Sequence, residues 1–236
     1  MMRKVNAAGF SLVEVMVTAG ILLVLAATAY PAISGLARLR EDTTCLSNLR
    51  QIGMGILAYS NDNDGKLPGP LLTAQYPYYT SSNQLSYVLL DYLAVDKTLT
   101  KVGKKDVFVC PGFRRVVKKL GSTPVYQLNI TVTMDGSPEY RQPFGYPNSG
   151  YPDTFGTSDD VAPMRITDLT RITDKDGRPA RMTTWMLKDH DKQPPYQDAN
   201  LSSFSSSPAK MVHRTHRNAL FFDFHVEKTD QEYANQ

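Results

Sequence analysis

Two hydrophobic patterns follow one another in the first sixty residues. From Phe10 to Tyr30 the chain is apolar at every position except Ser11, Glu14, Thr18 and Thr28. A helix of about 20 such residues spans a bilayer core. Beyond Arg38 the run becomes a stripe: Cys45, Leu49, Ile52, Ile56 and Tyr59 recur at spacings of four and three, which places them on one helix face. Arg40, Glu41, Asp42 and Arg50 fall largely off that stripe. The two patterns predict one long helix from Phe10 to about Tyr59, on the order of 75 Å at 1.5 Å per residue. Its first half suits a membrane, and its second half packs on a soluble domain and carries Cys45 toward the core. Gly53 and Gly55 weaken the helix but permit close packing. Asn61-Asp62-Asn63-Asp64-Gly65-Lys66-Leu67-Pro68 ends it with turn formers and a proline. The same stretch has the oxygen spacing of half a calcium loop, but Leu71 stands where the closing Glu belongs, which favours a capping turn.

After the helix the signals are shorter. Residues 69–84 read as a loop, and Gln84 to Leu93 as a short helix. Asp106 to Pro111 reads as a strand ending at a proline, and Val125 to Met134 as a second strand. Tyr140 to Gly156 reads as a surface loop. Met182 to Leu187 is a central strand, and Asn218 to Glu227 is a pair of strands joined at Asp223-Phe224. The expected fold is α+β: a long N-terminal helix packed on an antiparallel sheet.

Composition adds bounds. Of 236 residues, removal of a stem of about 30 leaves roughly 200, enough for one domain with its own core. Hydrophobic residues make up 42% and charged residues 21%, as in folded globular domains. The net charge is +3, and Arg3 and Lys4 supply two of those charges, so the chain has no strong field to attract nucleic acid. The two cysteines, Cys45 and Cys110, form a candidate disulfide if the domain is exported; the alternative is two buried thiols.

Glu14 changes the picture most. It is the only charge between Lys4 and Arg38, and a carboxylate in hydrocarbon costs roughly 2.5–3.5 kcal/mol on insertion scales. Gly9-Phe10-Ser11-Leu12-Val13-Glu14 follows a basic leader, Met1 to Ala8. This segment resembles the cleavage and methylation signature of type IV pilins and type II secretion pseudopilins. The resemblance implies a peptidase cut after Gly9, methylation of the new terminus at Phe10, and an assembly role for Glu14, which pairs with the N-terminal amine of a neighbouring subunit. Pro31 stands at mature position 22, where many pilins carry a helix-kinking proline. The implied organisation is a leader at 1–9, a transmembrane and assembly helix at 10–30, an amphipathic continuation at 31–60, and a globular domain at 61–236. Arg3 and Lys4 would keep the N-terminus cytoplasmic at the bacterial inner membrane, with the C-terminal domain periplasmic or extracellular.

Near the other end, His216, Asp223, His225 and Val226 resemble the C-terminal signature of bacterial pseudopilin-like proteins, in which a His precedes an apolar strand and an Asp-Gly-His-Val turn. Phe224 replaces the Gly, so the turn is not expected to need a positive φ there. Cys45 to Gly53 and Cys110-Pro111 resemble the same group. All four histidines follow residue 189, and His213, His216, Asp223 and His225 form a candidate metal-ligand set, although their spacing fits no zinc motif. The bland reading is hydrogen bonding within the hairpin. The chain has no Gly-x-Ser-x-Gly elbow, phosphate loop or His-Glu-x-x-His, and no catalytic residue is assigned.

The expected role is assembly rather than chemistry, with no cofactor required. Expected partners are prepilin peptidase, other pseudopilin subunits, the inner-membrane secretion platform and the membrane itself, and not nucleic acid. Two other readings remain at this point. One is a membrane-anchored periplasmic binding or metal-binding protein. The other is a secreted enzyme cut at Ala27-Thr28-Ala29.

Overall fold

The computed structural model describes residues 11–93, 106–117, 120–137, 140–147, 161–192 and 206–229. The chain divides into two compact units, Met1–Arg40 and Glu41–Gln236. Helix α1 (Leu12–Asp62) contributes to both. It is helical through Pro31, so a joint there is a weakened turn rather than a break. In the first unit its described side chains are exposed on all sides.

In the second unit α1 is a core element. Cys45, Leu49, Ile52 and Ile56 are fully buried, as the stripe predicts. The helix stops where the turn residues stand. Gly65 N–H bonds the Ser60 carbonyl at 2.8 Å, Asn63 Nδ2 donates to the Tyr59 carbonyl at 2.8 Å, and Asp64 and Gly65 adopt φ of 55° and 75°.

The sheet that α1 packs against has five antiparallel strands in the order β1-β2-β5-β6-β7. They are β1 (Ala74–Gln75), β2 (Tyr126–Leu128), β5 (Trp185–Asp189), β6 (Arg217–Phe221) and β7 (Val226–Thr229); β3 (Val132–Thr133) and β4 (Tyr140–Arg141) form a separate pair. The fold is therefore α+β, with β5 central. β6 is buried along its whole length. Its Leu220 faces α1 so closely that a Cβ on Gly53 would lie 3.1 Å from Leu220 Cδ1. A Cβ on Gly55 would lie 3.0 Å from Leu93 Cδ2. The two helix-weakening glycines thus sit where α1 approaches its neighbours.

Several sequence expectations are corrected. Asp106 to Pro111 is not a strand. The Asp106 carboxylate accepts the Phe108 N–H and its carbonyl accepts the Val109 N–H, closing a turn. Pro111 then opens the short helix α3 (Pro111–Val116), where a missing N–H costs nothing. Val125 to Met134 is two strands, because the Asn129 side chain accepts the Thr131 N–H and donates to the Trp185 carbonyl. Of Gln84 to Leu93, only α2 (Leu85–Val88) is helix. The strand expected from Met182 starts at Trp185, since the Ala180 carbonyl holds Thr183 and Thr184 in a turn. Phe224 does adopt a positive φ, 71°. The conformation costs an L-residue about 1–2 kcal/mol, and the partly buried ring packs against the core in return.

The Cys45–Cys110 disulfide is formed, with a Cα–Cα distance of 4.8 Å, and it fastens α1 to the start of α3 across a sequence separation of 65. A loop of that length gives about 4 kcal/mol on a chain-entropy treatment. Replacing both cysteines by serine is expected to lower unfolding free energy by about 2–5 kcal/mol, measured by urea denaturation. A loss below 0.5 kcal/mol would contradict a structural role for the bond.

Candidate functional site

Two groups of residues stand out from a purely structural background. The first is the apolar stem. From Leu12 to Leu25 its large aliphatic side chains are between 55% and 78% exposed. A helix that is hydrophobic all round is stable only when lipid or other helices surround it. This is the one helix among the described residues long and apolar enough to cross a membrane. Glu14 lies in its first turn. One carboxylate oxygen accepts the Ser11 N–H at 3.0 Å, so the charge sits at the positive end of the helix dipole. The Thr18 and Thr28 hydroxyls donate back to carbonyls three and four residues earlier, which hides their polarity within the helix. Glu14 is thus the one charged side chain in the apolar stretch, offset within the helix only by the Ser11 N–H and the dipole. Gly9 and Phe10 lie outside the described residues.

The second group is a polar cluster where α1 meets the sheet. Asp42 is buried, one helical step of three before Cys45. Its Oδ1 accepts from Asn218 Nδ2 and His216 Nε2, each at 3.1 Å, and lies 3.4 Å from His213 Nδ1. Its Oδ2 is paired with the Lys228 ammonium. Burial by itself would raise the Asp42 pKa, but Lys228, His216 and Asn218 outweigh it and hold the carboxyl at about 2. His213 is enclosed between two carboxylates, with Nε2 3.3 Å from Asp189 Oδ2. Burial disfavours its cation, yet Asp189 and then Asp42 raise its pKa above the ordinary value. Beside it, Asp191 takes Arg217 in a two-pronged pair of 2.7 and 2.8 Å with both side chains buried.

The four expected ligands do not form one set. His213 and His216 join Asp42 at the start of β6. Asp223 and His225 pair with each other past its far end, where the His225 ring stacks on Phe221 at 4.3 Å. Asp42, expected largely off the stripe as one of a run of charged residues, is instead buried on it. The usable signal was its spacing, which extends the buried stripe of Cys45, Leu49, Ile52 and Ile56 by one position.

Two outcomes test this cluster. Asp42 has its pKa lowered on folding, so its contribution is present above the usual carboxylate range and is lost as pH falls through about 2. Urea denaturation between pH 5 and pH 2 should show a steeper loss in the wild type than in Asp42→Asn, and parallel curves would contradict the assignment. Asp191→Ala leaves the Arg217 guanidinium buried without its carboxylate and should cost about 3–5 kcal/mol; a loss under 1 kcal/mol by the same method would contradict it.

The sequence matches the prokaryotic N-terminal methylation motif over residues 4–30. Comparison with curated proteins and with solved structures gives no match. The matched segment holds the Gly9-Phe10 junction, Glu14 and the exposed apolar run, and ends before the polar cluster. The match is confined to the N-terminal segment; that motif, followed by an exposed apolar helix, supports a type IV pilin- or pseudopilin-like protein of the kind a prepilin peptidase processes.

Proposed function

We propose that the protein is a structural subunit of a type II secretion pseudopilus or a type IV pilus-like filament. The peptidase cuts between Gly9 and Phe10, and the new amine at Phe10 is methylated. Before assembly the stem spans the inner membrane, with the N-terminus cytoplasmic and the domain from residue 61 onward on the periplasmic side. On assembly the stems leave the lipid and bundle into a filament core, and the globular domains face outward. A repeating head-to-tail contact of this kind produces an open helical assembly. The secretion platform in the inner membrane and other pseudopilin subunits are the partners.

The observation that carries this reading is the uncovered stem with a single carboxylate in its first turn. Lipid satisfies the aliphatic side chains and leaves Glu14 as a cost. A neighbouring subunit satisfies both, because the cationic amine of its Phe10 offsets the carboxylate. The contact also sets the axial step between subunits. Pro31 has no N–H for the Ala27 carbonyl, which weakens that turn of α1 and gives the stem a joint during packing.

A simple membrane anchor would need no carboxylate in this position, which weighs against a binding protein that keeps its stem only as a tether. Glu14→Ala separates the two. Filament yield in sheared-cell fractions should fall at least about tenfold, as expected when a buried charge loses its partner, while the variant remains in the membrane fraction at wild-type level. Unchanged filament yield would reject the assembly role of Glu14.

A further inference from the structure

We propose that Asp42, His213 and His216 form a binding site for a divalent transition-metal ion of the zinc class, which clips α1 to the segment leading into β6. The proposal is independent of filament assembly and rests on how each ligand is held.

The candidate ligand atoms of the three residues lie within 4.8 Å of one another. Asp42 Oδ1 is 3.1 Å from His216 Nε2 and 3.4 Å from His213 Nδ1. A tetrahedral ion with bonds of about 2.0–2.1 Å needs ligand atoms about 3.3 Å apart, so both edges are already at coordinating separation. Each imidazole presents one nitrogen to the Asp42 carboxylate and has an oxygen near the other, and His213 Nε2 also lies 2.9 Å from Asn218 Nδ2. His213 Nε2 faces Asp189 Oδ2 at 3.3 Å, and His216 Nδ1 faces Thr215 Oγ1 at 3.2 Å. Metal-binding histidines are oriented in this way, with the ring nitrogen that does not bind the ion held by a carboxylate or another oxygen. The two rings are parallel, 5.3 Å apart.

Two nitrogens and one oxygen suit zinc, nickel or copper rather than calcium or magnesium. Asn218 Nδ2 donates to Asp42 Oδ1, and Oδ2 is held by Lys228, whose side chain is 48% exposed. It can swing into water and leave Asp42 to the ion, with solvent at the fourth position. The Cys45 and Cys110 sulfurs also lie within this distance of His213, but they are spent in the disulfide.

The test is calorimetric titration of the full chain in detergent, stripped with chelator, with zinc chloride and separately with calcium chloride. One zinc per chain is expected, with a rise in thermal midpoint that follows free metal, and no saturable calcium binding. His216→Ala should weaken zinc binding by roughly tenfold or more, whereas His225→Ala, past the other end of β6, should not change it. Lys228→Met should tighten binding, because the competing ammonium is gone; this arm keeps the proposal testable if His216→Ala does not fold. Absence of saturable zinc binding would overturn the proposal. So would binding that is lost in His225→Ala but retained in His216→Ala, or binding indifferent to Lys228→Met.

Discussion

Helix α1 carries apolar side chains for two different environments, and the rest of the structure depends on keeping those environments apart. Among the described residues, the large side chains of its first stretch are exposed. Covering one aliphatic side chain is worth about 1.5–3 kcal/mol, so the run from Leu12 to Leu25 strongly favours lipid or a bundle of like stems over water. Its second stretch is covered by the domain's own sheet. The sequence marks the change with Arg38, Arg40 and Glu41, between the end of the apolar run and the start of the buried stripe.

The junction with the sheet is held by three kinds of bond. The disulfide from Cys45 constrains the chain covalently. Leu220 and Phe224 pack on the bare backbone at Gly53. Asp42 collects donors from the segment before β6, from β6 and from β7. Apolar packing is tolerant of sliding, whereas a carboxylate with several fixed donors is not. Asp42 therefore helps set where along α1 the sheet sits.

Much of this was legible in the sequence. Long, strongly periodic segments gave the helix, its turn at Asn61 to Gly65 and its buried face. Alternation and β-branched content gave β5 and the β6–β7 hairpin. What was not legible depends on contacts between distant residues. Asp106 to Pro111 has strand-like composition, but a side-chain turn and a disulfide partner decide it. Asn129 breaks a β-branched run because its amide finds the Trp185 carbonyl on another strand. Phe224 looked unable to take a left-handed conformation, yet its ring finds cover on α1. The histidines gave a similar lesson. His213 and His216 belong with a helix residue far away in sequence, while their near neighbours Asp223 and His225 form a separate pair.

The most direct test of the pilin-like account is the N-terminus of the protein purified from native membranes, read by intact-mass and peptide mass spectrometry. The account predicts a chain that begins at N-methylated Phe10. A chain that begins at Tyr30 would contradict it, because the stem, and Glu14 with it, would then be a discarded signal sequence.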